Sequence, residues 1–444
     1  MSAFHYLSGE LFCEEVPLST LAKEYGTPLF VYSQADIENR WNAYQSGLSN
    51  AQSHADPHAD PHADIGASKN QTGKRFFYAV KANPNLGLLR IFHKLGAGFD
   101  TVSIGEIKRA MLVGASAQDI LFSGVGKSAA ELEFAITEGI GAICVESTEE
   151  FQRLAAISQA LGKTANLSVR INPDIQADTH PSIRTGGKEH KFGVSLDAAE
   201  AILSEANSHP QIEIIGISCH IGSQILDIAP FIQAAQKMHD FYKRLAAQGI
   251  AIKRISLGGG FGISYKSSSE EALPPTRIGE LTAPFAAAPV DLIFEPGRSL
   301  VAASGALLTK LEYIKSGESK NFAIVDAAMN DLLRPALYDA YHEVLPITQH
   351  SETPTRDYDI VGPVCESGDV LAHQRSLAIE AGDLLAIKDI GAYGSAMSSN
   401  YNSRPRAAEV LINGSASGLI KRREELDDLL RLEMGLETGL EQDL

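Results

Sequence analysis

The chain has 444 residues, with 55 acidic and 38 basic side chains, a formal net charge of −17 and 44% hydrophobic residues. That length exceeds one ordinary domain, and the hydrophobic share suits a globular protein with a large core. The acidic balance disfavours nucleic acid and anionic membrane as partners, because phosphate binding needs a basic footprint.

The four cysteines, Cys13, Cys144, Cys219 and Cys365, are scattered with no Cys-x-x-Cys spacing, so neither a zinc site nor a disulfide framework is suggested. Residues 1–10 lack a basic segment followed by an apolar run, so no signal peptide is read. No apolar stretch approaches the roughly 18 residues that a membrane span requires. A cytoplasmic protein is the expectation.

Residues 1–34 contain Pro28–Tyr32, read as a strand that joins a later β domain, because a helix over Ser33–Gln45 follows it. A polar stretch over 49–74 then repeats His54-Ala55-Asp56-Pro57 almost three times. Its regularly spaced prolines forbid a helix, so a disordered surface insertion is preferred to a metal site, and no metal is expected. From residue 76 onward, short β-rich runs alternate with helical periodicity. The predicted strands are Phe76–Ala82, Gly98–Val102, Ile120–Ser123, Ala142–Glu146, Asn166–Ile171, Glu213–Cys219, Arg254–Leu257 and Asp291–Phe294. Helices are predicted between them, for example over Ala129–Glu138, Glu149–Leu161, Leu196–Ala206 and Pro230–Ala247. Eight such strands with crossover helices predict an α/β fold, a (β/α)8 TIM barrel over 35–299, where an open doubly wound sheet would have fewer. Residues 300–413 read as short strands broken by turns: Gly305–Tyr313, Phe322–Asp326, Tyr358–Val361, Leu384–Asp389 and Glu409–Ile412. They predict an all-β second domain, a sandwich or small barrel. Residues 414–444, with leucines at helical spacing among many charges, are expected to form a helical tail.

A barrel places chemistry at the C-terminal strand ends. There the sequence puts Lys81, Asp100, His220, the glycines Gly258, Gly259 and Gly260, and Glu295. Lysine for a Schiff base, glycines whose N–H groups approach a phosphate, and a carboxylate for a ring nitrogen are the parts that hold pyridoxal phosphate. His220 reads either as a satisfied core histidine or as a flat group stacked on the cofactor ring. Asp100 either orients Lys81 or caps a turn. Arg298 can grip a carboxylate or phosphate bidentately. In the second domain, Arg334 and Tyr338 share a face if helical, Cys365 and Glu366 share a turn, and Tyr393 sits in a glycine-flexible loop. Alone, each is compatible with ordinary loop structure; together they offer a cation, an anion and a proton donor to a zwitterionic substrate.

At these residues the chain resembles the diaminopimelate decarboxylases, of the alanine-racemase-like fold group of pyridoxal phosphate decarboxylases. The motifs are Tyr78-Ala79-Val80-Lys81-Ala82-Asn83, Lys191-Phe192-Gly193, His220-Ile221-Gly222-Ser223-Gln224, Gly258-Gly259-Gly260-Phe261-Gly262, Glu295-Pro296-Gly297-Arg298, Cys365-Glu366-Ser367-Gly368-Asp369 and Gly391-Ala392-Tyr393-Gly394. The resemblance covers roughly residues 5 to 413. It implies Lys81 as the Schiff-base lysine. It implies that His220, Ser223, Gly258–Gly260, Glu295, Pro296, Gly297, Arg298 and Tyr393 hold the cofactor. Arg298, Arg334, Tyr338, Glu366 and Tyr393 are implied to bind substrate, with Cys365 as proton donor from the partner subunit of a homodimer. The implied substrate is meso-diaminopimelate. Glu366 can meet an ammonium while Arg298 and Arg334 meet a carboxylate, which suits an amino-acid head at the far end of the substrate. Ornithine has only a distal ammonium, so its enzyme needs an acid and no distal cation; a carboxynorspermidine- or ornithine-type decarboxylase of polyamine metabolism is the alternative.

Overall fold

The computed structural model describes residues 3–53, 73–175, 191–266 and 271–434. They divide into two compact units: one runs from Ile37 to Ala302, and the other joins the N-terminal segment through Asp36 to the chain from Ala303 onward. No helix among the described residues is long and apolar enough to cross a membrane.

The first unit is a closed barrel of eight parallel strands: Lys74–Ala79, Gly98–Thr101, Ile120–Phe122, Ala142–Val145, Ala165–Ile171, Ile212–Cys219, Arg254–Ser256 and Asp291–Phe294. Strands covered on both faces need continuous apolar runs, and every residue of Gly98–Thr101 and Ala142–Val145 is buried. Alternation along the first strand sends Phe77 inward and Phe76 outward. Phe77 clusters with Leu121, Ala142, Ile215 and Ile293. Its register partner is Gly98, where a Cβ would collide with the Phe77 ring. Outside, Phe76 meets Trp41, Tyr44 and Phe294 at ring-centroid distances of 5.6, 5.4 and 5.8 Å. The crossover helices carry their own boundaries: Ala129–Glu138 starts at a Ser128–Glu131 capping box and stops at Gly139, φ 67°. The eight-stranded reading of the sequence therefore holds, and eight C-terminal strand ends form one rim.

The second unit is mostly sheet and takes the N-terminal strand. Leu29–Ser33 lies antiparallel to Gly305–Ser316 and parallel to Ala408–Asn413. From edge to edge the main sheet runs Val370–Leu377, Arg356–Val361, Asn321–Val325, Gly305–Ser316, Leu29–Ser33, Ala408–Asn413 and Ala416–Lys421. Leu29, Val31, Leu308, Ala386 and Val410 are fully buried in its core. A small sheet of Phe4–Leu7, Glu10–Cys13 and Val16–Pro17 completes the unit.

Two expectations need correction. The helical tail from residue 414 is replaced at its start by the strand Ala416–Lys421, which pairs with Ala408–Asn413 through the Gly414-Ser415 turn, Gly414 having φ 61°. A short helix, Leu426–Leu430, follows. The expected disordered insertion over 49–74 is also too wide. The helix Gln34–Ser53 runs into its start and the first barrel strand begins at Lys74; the His-Ala-Asp-Pro repeat lies outside the described residues.

Candidate active site

Lys81 sits in a single 3-10 turn, Val80–Ala82, where the first barrel strand ends. Its Nζ is 3.5 Å from Asp100 Oδ2 on the neighbouring strand, and Asp100 is buried and accepts a 2.7 Å hydrogen bond from Ser123 Oγ. Asp100 thus faces the amine, as the orienting reading requires. Gly297 packs onto this turn: a Cβ there would stand 3.1 Å from Ala79 Cβ and Ala82 Cβ. The Ala79 N–H donates to Pro296 O, which ties the Glu295–Arg298 segment to the lysine turn.

Glu295 closes the eighth strand. Its Oε1 accepts from Ser256 Oγ at 2.5 Å, while its N–H donates to Gly258 O at 2.8 Å. Burial first, then the charge of Asp100, pushes its carboxyl up to about 7, against the opposing pull of Ser256, Lys81 and Arg170. A buried acid poised near neutrality ionises readily when a cation is brought beside it.

His220 follows the sixth strand, and its Nδ1 accepts the Gly259 N–H at 3.2 Å. Burial, then Lys81 and Arg170, hold its imidazole well below the usual histidine range. His220 is therefore a neutral ring with its proton on Nε2. The glycine run behaves differently from the sequence expectation. The Gly258 N–H goes to Ser256 Oγ and the Gly259 N–H to His220, so among these three described glycines only the Gly260 N–H is left uncommitted in this way. The run's other requirement is close backbone approach. A Cβ on Gly259 would lie 2.8 Å from the Glu295 carbonyl carbon, and Gly258 and Gly260 have φ of 70° and 112°. Gly259→Ala is accordingly expected to weaken cofactor retention about tenfold or more with the far-ultraviolet circular dichroism unchanged. Equilibrium dialysis against pyridoxal phosphate reads the loss.

Arg298 is buried, and both Nε and Nη2 donate to Ser223 Oγ, at 3.3 and 3.0 Å, while Nη1 donates to Tyr265 OH at 2.8 Å. Gln224 bonds Ile263 through both its amide atoms, joining the loop after strand six to the loop after strand seven. On the other side of the rim, Glu146 takes Arg170 Nη1 at 3.1 Å and the Gly193 N–H at 3.0 Å, anchoring the Lys191-Phe192-Gly193 motif. Ser256, Tyr265, Glu146 and Arg170 were not singled out in the sequence. Position at a strand end flagged only Glu146, as the last residue of a predicted strand.

Arg334, Tyr338, Cys365, Glu366 and Tyr393 belong to the second unit. Arg334 and Tyr338 do share a short helix, Arg334–Tyr338, opened by Pro335 and ended by Asp339 at φ 50°. The Cys365 loop is shaped by buried Asp369, which accepts the Met329 and Val364 N–H groups at 2.6 and 2.7 Å. The Cys365 N–H donates to Asn402 Oδ1 at 3.0 Å, and Tyr401 OH donates to Glu366. Cys365 is exposed, whereas Cys13, Cys144 and Cys219 are buried, and burial pushes the Cys144 and Cys219 thiols up to about 12. Tyr393 holds φ 59°, a left-handed conformation that costs a non-glycine residue about 1 kcal/mol or more. Strain of that kind collects at functional loops.

An amine, a poised carboxyl, a neutral imidazole and a close-packed glycine run on one barrel rim fit pyridoxal phosphate by the chemistry of the donor set. Residues 65–302 match the family model "Pyridoxal-dependent decarboxylase, pyridoxal binding domain". The chain is 44% identical to the diaminopimelate decarboxylase of Pseudomonas aeruginosa, over 97% of this chain and 98% of that one. The chain belongs to the diaminopimelate decarboxylase family. Two solved members of the family frame the fold. The Helicobacter pylori enzyme complexed with L-lysine aligns with a TM-score of 0.84 at 39% identity, covering 94% of this chain and 99% of that one. The M. jannaschii enzyme in co-complex with L-lysine aligns at 0.88 and 35%, covering 98% and 99%. Full-length coverage places both units of this chain within the diaminopimelate decarboxylase fold.

Proposed function

We propose that this protein decarboxylates meso-2,6-diaminopimelate to L-lysine and carbon dioxide with pyridoxal phosphate, the last step of lysine biosynthesis. The observation that carries the reading is the pairing, on one barrel rim, of the Lys81 amine facing Asp100 with the poised carboxyl of Glu295. Bound pyridoxal phosphate supplies an electron sink for the pair left when a carboxylate departs from the substrate α-carbon. Lys81 would hold that group through its amine, Glu295 would keep a proton on its ring nitrogen, and His220 would lie flat against it. Gly260, Ser223, Arg298 and Tyr393 would hold its phosphate end. Arg298 and Arg334 would bind substrate carboxylate, with Tyr338 and Tyr393 beside it, and Glu366 would take the distal ammonium. Lys81 Nζ and Cys365 Sγ are the two groups suited to return a proton to the α-carbon. Purified protein loaded with pyridoxal phosphate should release carbon dioxide from meso-diaminopimelate faster than from ornithine or carboxynorspermidine. A reversed order of rates would overturn the assignment in favour of the polyamine reading.

The same reading makes the protein a cytoplasmic homodimer in which Cys365 and Glu366 of the partner subunit complete each site. It is supported by the exposed Cys365 on a braced loop and by three buried free thiols, which suit a reducing compartment. Mixing refolded Lys81→Ala and Cys365→Ala chains should restore about a quarter of wild-type turnover, because half the dimers are hybrids with one intact site. No recovery on mixing, with subunit exchange verified by mass, would exclude shared sites.

A further inference from the structure

We propose that His342 is a positioning residue for substrate recognition, a neutral imidazole whose bare nitrogen fixes the Arg334 guanidinium. The proposal rests on the reading of Arg334 as a carboxylate-binding group.

The protonation state follows from the two bonds. His342 is fully buried, with Nδ1 2.8 Å from the carbonyl oxygen of Lys388 and Nε2 2.9 Å from Arg334 Nη1. A carbonyl only accepts, so Nδ1 carries the proton. A guanidinium only donates, so Nε2 is the acceptor. Both bonds are satisfied by one neutral tautomer, and by no other state of the ring. The segment carrying it is clamped from behind. Arg375 donates through Nε and Nη2 to the His342 carbonyl oxygen at 3.3 and 3.0 Å, and its guanidinium lies 4.1 Å above the Tyr341 ring. Arg334 itself is buried, although its helix has only five residues and cannot hold a long side chain by backbone alone. A buried guanidinium swings through several rotamers unless an acceptor fixes one edge, and fixing one edge sets the plane in which the rest of the fork meets a carboxylate.

A buried histidine that merely fills the core would predict something different, and two substitutions separate the cases. His342→Asn keeps a donor where Nδ1 stands and removes the acceptor at Nε2. His342→Gln places an acceptor near Nε2 and gives up the bond to Lys388. Steady-state carbon dioxide release from meso-diaminopimelate by the holoenzyme should show KM raised about tenfold in His342→Asn, with kcat much less affected, and KM near wild type in His342→Gln. In an Arg334→Ala background, His342→Asn should add no further rise in KM. Equal rises in the two single variants, a wild-type KM in His342→Asn, or full additivity with Arg334→Ala would each overturn the proposal. Should His342→Asn be insoluble, His342→Leu also lacks the acceptor and is read in the same way. A wild-type protein inactive on diaminopimelate would instead sink the underlying functional reading, which is scored before any variant.

Discussion

Lys81→Ala is expected to lower carbon dioxide release from meso-diaminopimelate by at least about four orders of magnitude, because it removes the amine through which the cofactor is tethered. The loss is chemical rather than structural. Lys81 is partly exposed in a one-turn 3-10 segment, and its alanine replacement leaves in place the bonds from the Ala79 N–H to Pro296 O and from the Tyr78 hydroxyl to Asn83 O. Asp100 keeps its Ser123 bond at Oδ1 and loses the Lys81 cation facing Oδ2, a pair held at 3.5 Å beside a partly exposed lysine. The variant should therefore fold with a somewhat lowered thermal midpoint, Asp100 having lost its cation, and fail chiefly in turnover and in covalent cofactor retention. Borohydride reduction followed by peptide mapping reads the second property directly: the label should fall on Lys81 in the wild type and vanish in the variant. A label on any other lysine, or turnover in Lys81→Ala within tenfold of wild type, would falsify the assignment.

The legibility of this protein in its sequence divides by the physics of each element. Barrel strands such as Ala142–Val145 are covered on both faces, so they read as unbroken apolar runs and their number is countable. The edge strand Val370–Leu377 carries His373, Gln374 and Ser376 on solvent-facing positions, and Ala416–Lys421 is largely exposed, so neither shows an apolar pattern. The Gly414-Ser415 pair was the available hairpin signal for the second of these. The same division holds at the site. Lys81, His220 and Glu295 were readable because charged or polar side chains at the ends of apolar strands are conspicuous. Their supports were not. Ser256 lies 39 residues from Glu295, Tyr401 35 residues from Glu366 and Arg375 33 residues from His342, and no local spacing rule reaches across such distances. The glycine run was readable as a cradle, yet its first two N–H groups turn out to serve Ser256 and His220, a choice made by tertiary packing alone.

The second large effect is expected at Glu295. Replacing it by glutamine keeps the shape of the side chain and leaves an amide oxygen to accept from Ser256, so the seventh and eighth strand ends should stay registered. What disappears is the only negative charge the eighth strand end contributes to the rim. In the native protein burial and Asp100 raise this carboxyl to about 7, while Ser256, Lys81 and Arg170 favour its ionised form. The balance is fine enough that a protonated ring nitrogen placed beside it would draw it to the carboxylate, and the ion pair so formed would favour the electron-poor state of the ring on which decarboxylation depends. A preorganised charge of this kind is worth about two to three orders of magnitude in rate. Glu295→Gln should therefore lower kcat by about a hundredfold to a thousandfold with the bound cofactor's absorbance retained and KM little altered. The split matters: loss of cofactor would point to a packing role, and unchanged kcat would show that this carboxyl does not act on the ring nitrogen. Glu295→Asp, one methylene shorter and still anionic, should recover part of the rate, since the charge returns while its Ser256 contact lengthens.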